Sequence, residues 1–317
     1  MHRLVRTIAV ALLLLSPAHG QDTDSTSHTV QFIAVDNNVK LEVLDWGGSG
    51  RSLVLLAGLG NTAHVFDKFA PKLAGAYHVY GITRRGFGAS SAPSPSVDNY
   101  RSDRLGDDVL AVLDALRLNR PVLIGHSGAG EEMSSIGSRY PQRVAGLVYL
   151  DAGYSYAYYD RSAWSAGIWE MDSYQLQQGL RQLQFGNGPP DARPLVQEML
   201  KTILPQIEED LRHLQNDVEE TPGRFAAPPT TSPFNPAMLA VMEGGQKYTN
   251  IPVPILAIFA LSGSLLHQSD VEGQATAFEK GVPSARVVRL PHAEHYVYRS
   301  NEADVLREIN VFVRSLP

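Results

Sequence analysis

The pentapeptide Gly125-His126-Ser127-Gly128-Ala129 sets one hydroxyl among small residues, directly after the apolar run at 121–124. A strand that ends this way and opens at once into a helix presents its serine on a sharp turn. The hydroxyl then lies at the positive end of the helix, which suits a nucleophile whose attack creates an oxyanion. The spacing is Gly-x-Ser-x-Gly with alanine in the last place. Such a turn leaves little room for side chains at positions 125 and 129. Glu131 and Glu132 open the following helix, where acids favour the dipole. Capping is the reading for both, with Glu131 a possible neighbour of the pocket.

A serine nucleophile needs a base. His292 and His295 stand in "LPHAEHYVYRSNEADVL", between the last strand and the last helix. Serine before histidine, with the histidine in the final strand-to-helix loop, fits a hydrolase order, and His295 is the preferred candidate. His64 and His126 are read as structural or pocket-lining, and His126 is also a candidate substrate-binding residue. No His-x-His or His-Glu-x-x-His spacing points to a metal, and the proposed chemistry needs no cofactor.

A second glycine loop competes for the ligand. Gly58-Leu59-Gly60-Asn61-Thr62-Ala63 follows an apolar strand and matches the dinucleotide pattern Gly-x-Gly-x-x-Ala. The next strand ends in Thr83-Arg84-Arg85, whose charges could suit a 2′-phosphate. A strand hairpin precedes the motif, however, so it does not open the first βαβ unit. The other use of the loop is an oxyanion hole, in which the Leu59 and Gly128 backbone N–H groups grip developing negative charge. Glycines at 58 and 60 permit close backbone approach.

These residues need a scaffold. Alternation over 29–35 and 39–45 around Asp36-Asn37-Asn38 predicts a hairpin. "RSLVLLAGLG", "YHVYGIT", "PVLIGHS", "RVAGLVYLDA", "VPILAIFAL" and "ARVVRL" read as further strands. "HVFDKFAPKLA", "SDRLGDDVLAVLDALRL", "GAGEEMSSIGSRY", "DVEGQATAFEKG" and "NEADVLREINVFVRSL" read as helices between them. In the second, Leu105, Val109, Val112, Leu113 and Leu116 form one apolar stripe. Alternating strands and helices predict an α/β fold with a mostly parallel sheet covered on both faces.

The pattern changes over 154–246. Aromatic residues cluster first, and Leu195, Met199, Ile203, Ile207 and Leu211 then recur every four residues, with Pro205 a kink or break. Asn235-Pro236 can start a helix and Gly244-Gly245 can stop one. Because strands resume afterwards, this stretch reads as a helical cap inserted into a core made of 21–153 and 247–317.

The first twenty residues read as a secretory signal peptide, with Arg3 and Arg6, a short apolar run, and Ala18 and Gly20 before Gln21. The expected location is periplasmic or extracellular, with no membrane span after leader cleavage. The chain has 317 residues, 27 Lys and Arg against 33 Asp and Glu, and no cysteine. Loss of the leader makes it more acidic, which argues against nucleic acid as a partner. Without cysteine, neither disulfides nor a thiolate nucleophile are possible. The expected partner is a small-molecule ester.

The stretches "LVLLAGLGN", "RRGFGASSAP", "RPVLIGHSGAGEE", "RVAGLVYLDA" and "PHAEHYVYRSNEADVLREI" resemble the α/β-hydrolase fold family, in its lipase, esterase and epoxide-hydrolase-like branch. The resemblance spans nearly the whole mature chain. It implies an eight-stranded, mostly parallel sheet with a helical cap between strands six and seven. It also implies a third triad member. Many relatives carry the acid just after strand seven, but here Gly263 is followed by Ser264, Leu265 and Leu266, and the first carboxylate is Asp270. Other relatives, haloalkane dehalogenases among them, carry the acid at the end of strand six, where this chain has Asp151. Asp151 is therefore preferred and Asp270 is the alternative. Those dehalogenases and the epoxide hydrolases use aspartate as nucleophile, so Ser127 points instead to a serine carboxylesterase working through an acyl-enzyme. Peptidase, amidase or C–C hydrolase chemistry on the same triad, or a non-catalytic binding protein, are the alternatives. Tyr154, Trp164 and Trp169 in the cap are candidate substrate contacts that favour an apolar acyl or alcohol group.

Overall fold

The computed structural model describes residues 28–153, 191–205, 236–246, 250–261 and 265–317, with 176, 180, 183, 207, 208, 211, 212 and 248. The leader at 1–20 and the cap candidates Tyr154, Trp164 and Trp169 lie outside the described residues.

Eight strands form one sheet: β1 (Thr29–Asp36), β2 (Val39–Gly47), β3 (Ser52–Leu56), β4 (His78–Ile82), β5 (Val122–His126), β6 (Gly146–Leu150), β7 (Ile255–Leu261) and β8 (Ala285–Pro291). Their order is β1-β2-β4-β3-β5-β6-β7-β8. The β1–β2 and β2–β4 pairs are antiparallel, and every other pair is parallel. The hairpin closes through Asn38 at φ +58°, a conformation asparagine tolerates better than most residues.

Nine helices are described: α1 (Ala70–Ala74), α2 (Val97–Tyr100), α3 (Ser102–Ala115), α4 (Ala129–Arg139), α5 (Arg193–Glu198), α6 (Pro236–Glu243), α7 (Leu265–Gly281), α8 (Val297–Ser300) and α9 (Glu302–Ser315). Side chains alternate across the parallel strands, so each central strand feeds two cores. Val54, Leu56, Leu123, Tyr149 and Phe259 meet Val109 and Val112 of α3, Met133 of α4 and Phe278 of α7. Leu53, Leu55, Ile124, Leu150 and Ile258 face Leu73 of α1 and Val305, Ile309 and Phe312 of α9. Each fully buried aliphatic side chain contributes about 1.5–3 kcal/mol relative to its exposed state. Burial on both faces explains why these strands read as unbroken apolar runs.

Two helices differ from expectation. The segment read as one helix at 64–74 divides into a 3-10 turn, Ala63–Phe66, and the short α1. Pro71 sits in the first turn of α1, where its missing N–H costs no hydrogen bond. The helix runs up to Pro205. It widens just before into a π turn, Met199–Ile203, in which the Leu204 N–H donates to the Met199 carbonyl. Met199, Ile203 and Ile207 are buried together, and Leu211 is exposed. Among the described residues no helix is long and apolar enough to cross a membrane.

Candidate active site

Strand β5 ends at His126, and the next residue, Ser127, has φ +52°. Gly128 returns to helical geometry and α4 begins at Ala129. A non-glycine residue in this left-handed conformation is sterically costly. Neighbours hold it there: the Ser127 N–H donates to the Leu150 carbonyl at 3.2 Å, and the Gly130 N–H donates to the Ser127 carbonyl at 2.9 Å. The turn is tight on both sides. A Cβ added to Gly125 would lie 2.6 Å from Met133 Cε, and one on Gly130 would lie 2.2 Å from the Ala152 carbonyl oxygen.

Strand β6 repeats the device. Asp151 follows its last residue with φ +48°, and its N–H donates to the Ile258 carbonyl at 2.8 Å. The side chain has 4% of its surface exposed. Its Oδ1 accepts the Ala260 N–H at 2.8 Å, and its Oδ2 lies 2.7 Å from His295 Nδ1. Because a carboxylate only accepts, Nδ1 carries a proton, which leaves Nε2 as the nitrogen that can act as base. Asp151, the acid preferred on sequence, is paired with His295. Asp270 falls within α7, and its side chain is outside the described residues. His292, the other histidine of the loop, is exposed.

The Gly58–Asn61 loop closes on the same turn. A Cβ on Gly58 would lie 3.2 Å from Ser127 Cβ, and one on Gly128 would lie 3.5 Å from the Leu59 backbone nitrogen. The two expected oxyanion donors, Leu59 and Gly128, are thus neighbours beside Ser127. Asn61 Nδ2 donates to the Tyr296 hydroxyl at 3.0 Å, tying this loop to the one that carries His295.

His126 is not a pocket-lining residue. It is 1% exposed and lies beneath His295, with ring centroids 4.6 Å apart. Its Nε2 pairs with the His295 carbonyl at 3.0 Å, and since a carbonyl only accepts, Nε2 bears the proton. Burial and the neighbouring His295 pull its pKa down to about 3, so the ring is neutral. Tyr296 and Tyr298 flank it at 4.7 and 5.3 Å. The ring is a prop under the histidine loop.

The two glutamates of α4 are buried instead of capping toward solvent. Glu132 forms a bidentate pair with Arg84, at 2.8 Å to Nη2 and 3.2 Å to Nε, and Arg84 also donates to the Ala57 carbonyl at 3.0 Å. Glu131 accepts from the Ser102 hydroxyl and from the Gln246 backbone N–H. Burial drives its pKa up to about 8. Arg85 is fully buried against Asp108, with bonds of 2.5 and 2.6 Å. These pairs overturn the phosphate reading, because both arginines are committed to carboxylates inside the fold. The Gly58–Ala63 motif also leads into a short 3-10 turn, which lacks the long helix whose N-terminus would receive a pyrophosphate.

Helix α6, the last of the inserted stretch, lies over this region. Leu59, Ala237 and Met238 all pack against a buried cluster that includes Phe87 and Tyr100. A Cβ on Gly60 would touch Met238 Cε at 3.4 Å. Met238 and Tyr296 are neighbours of the site that the sequence did not single out. Asn235-Pro236 did mark where the helix carrying Met238 begins.

The profile of the alpha/beta hydrolase fold family matches residues 51–301. The chain belongs to the α/β-hydrolase fold family. Among curated proteins, this chain is 34% identical over 107 residues to a fluoroacetate dehalogenase of Burkholderia sp., covering 33% of this chain and 35% of the relative. It is 22% identical over 272 residues to 2-(acetamidomethylene)succinate hydrolase of Mesorhizobium japonicum, covering 84% of this chain and 89% of the relative. The structure superposes on the Bacillus megaterium epoxide hydrolase with a TM-score of 0.60 at 18% identity, covering 90% of this chain and all of the other. The matches to the dehalogenase and to the epoxide hydrolase of Mus musculus span only 35% and 22% of those relatives' lengths.

Proposed function

We propose that this hydrolase is an exported serine esterase that cleaves carboxylic esters through an acyl-enzyme intermediate. The observation that carries the reading is the buried Asp151 carboxylate 2.7 Å from His295 Nδ1, at the strand end next to the Ser127 turn. Ser127 Oγ attacks the ester carbonyl carbon while its proton passes to His295 Nε2. Asp151 holds the imidazole tautomer and stabilises the imidazolium. The Leu59 and Gly128 N–H groups hold the tetrahedral oxyanion. The intermediate collapses, the C–O bond to the alcohol breaks, and His295 returns the proton to the leaving oxygen. Water, losing a proton to His295, then attacks the acyl carbon, releases the carboxylic acid and restores Ser127.

Serine at position 127, where the dehalogenase-like and epoxide-hydrolase-like branch uses aspartate, supports ester over halide or epoxide chemistry. Leu59 and Met238 beside the turn, with Tyr154, Trp164 and Trp169 in the inserted stretch, favour an apolar acyl or alcohol group. The leader-like residues 1–20 support export. One observation favours a different bond, the near-full-length similarity to 2-(acetamidomethylene)succinate hydrolase.

The test is nitrophenol release from nitrophenyl acetate and octanoate, with the matching nitroanilides as an amide arm. Esters are turned over by the wild type, and Ser127→Ala lowers kcat by about a thousandfold or more. Ester turnover no higher than that of Ser127→Ala overturns the reading, and activity confined to the anilides moves the assignment to an amidase. Recovery outside the cytoplasm of a chain beginning at Gln21 tests export.

A further inference from the structure

A second cluster of chemistry-bearing side chains lies apart from the triad, where the start of the sheet meets the turn after the Gly58–Asn61 loop. His28 immediately precedes β1, His64 lies in the 3-10 turn Ala63–Phe66, and Asp67 follows that turn. One ligand atom from each of the three falls within 4.8 Å of the others. His28 Nδ1 is 3.3 Å from Asp67 Oδ1, and His64 Nδ1 is 3.1 Å from Asp67 Oδ2. The cluster is sheltered, with 4% of the His28 side chain and 16% of Asp67 exposed.

We propose that His28, His64 and Asp67 bind one divalent transition-metal ion of the zinc type, with water completing a tetrahedral set. Bonds of about 2.0–2.2 Å to nitrogen and oxygen put neighbouring donors of a tetrahedron roughly 3.3–3.6 Å apart, and each ring nitrogen lies about that far from one or the other Asp67 oxygen, at 3.3 and 3.1 Å. Two imidazoles and one carboxylate favour zinc, copper or nickel over the oxygen-seeking calcium and magnesium.

Two further observations fit an ion and not a simple histidine–aspartate pair. Asp67 Oδ1 is buried with no hydrogen-bond partner among the described residues, although its carboxylate faces two rings. An ion satisfies that oxygen. The far nitrogen of His64, Nε2, lies 3.5 Å from Glu42 Oε1, and Glu42 is fixed by a 2.7 Å bond from the Thr83 hydroxyl to its Oε2. A carboxylate on the far side of a ligating imidazole orients the ring and raises its basicity. The ion would clamp the start of the edge strand to the turn below the loop that carries Leu59.

The test is calorimetric titration of the chelator-dialysed chain with zinc chloride. One ion binds per chain with micromolar or tighter affinity, and zinc raises Tm. His28→Gln, ahead of the first strand, and Asp67→Asn each weaken binding by about tenfold or more. Their metal-free Tm values report whether the fold is intact. Cobalt(II) gives the strong visible absorption of a tetrahedral site, lost in His28→Gln. Millimolar binding by the wild type, or affinity unchanged in both variants, overturns the proposal.

Discussion

His295 Nδ1 and Asp151 Oδ2 are 2.7 Å apart, and the other oxygen of Asp151 is held by the Ala260 N–H. The backbone bond fixes the carboxylate, so the oxygen that faces His295 has one direction in which to act. Asp151→Asn keeps an oxygen for Ala260 and offers His295 an amide N–H, which favours the wrong tautomer. The expected outcome is a kcat lowered about ten-thousandfold with Tm close to wild type, read by ester kinetics and thermal melts. Activity near wild type would move the triad acid elsewhere.

His126 acts through His295. His126→Phe removes the Nε2–H that holds the His295 carbonyl and leaves that carbonyl without its donor. A misplacement near 1 Å lowers rates by about a hundredfold. The variant therefore loses about 10–100-fold in kcat with KM little changed. His126→Gln, whose amide reaches the same carbonyl, recovers part of the loss. Equal KM and kcat effects in both variants would mark the residue as packing alone.

Two glycine substitutions make a contrast. In Gly130→Ala the new Cβ meets the Ala152 carbonyl oxygen at 2.2 Å, so the start of α4 must move away from β6. The expected destabilisation is about 1–3 kcal/mol or more. At Gly75, φ is −64° and a Cβ meets nothing within 4 Å. Gly75→Ala is therefore expected to be neutral or to stabilise by about 0.4–1 kcal/mol. Denaturant melts of the two variants check both signs.

The buried Glu131 makes stability depend on pH. Its pKa rises from 4.5 to about 8 on folding, so the folded chain holds the proton more tightly. The stability this adds is complete below about 4.5, falls as pH rises, and is gone above about 8. Glu131→Gln is neutral at every pH and lacks this slope. The variant and the wild type should match at low pH, with the variant the more stable above pH 8. Melting curves across the range check it, and parallel curves would show that Glu131 is ionised in the fold.

Much of this architecture was legible in the residues. Strands such as Val122–His126 are buried on both faces, which forces an unbroken apolar run that stands out from its flanks. Ser127 was visible because its turn demands small neighbours at fixed spacing. What stayed hidden were partnerships across long separations. His126 looked like a pocket residue because its partner is a backbone carbonyl, which has no sequence signature. Glu132 looked like a helix-end acid because Arg84 is 48 residues away. His28, His64 and Asp67 have no metal-site spacing, since the hairpin and β3 intervene before the chain returns. The 64–74 segment kept its helical pattern, but Pro71 fits only a first turn and so marks a new helix.

Ser127 and Asp151 close two adjacent strands in the same left-handed backbone conformation, at φ +52° and +48°. Glycine adopts that conformation freely, whereas any other residue there costs roughly 1–2 kcal/mol. Selection for thermal robustness alone would therefore press position 127 toward glycine, yielding a sturdier and chemically inert scaffold. At Asp151 the bond from the Ala260 N–H offsets that cost, whereas Ser127 has no such side-chain bond among the described residues, so a library screened only for stability should shed the serine before the aspartate.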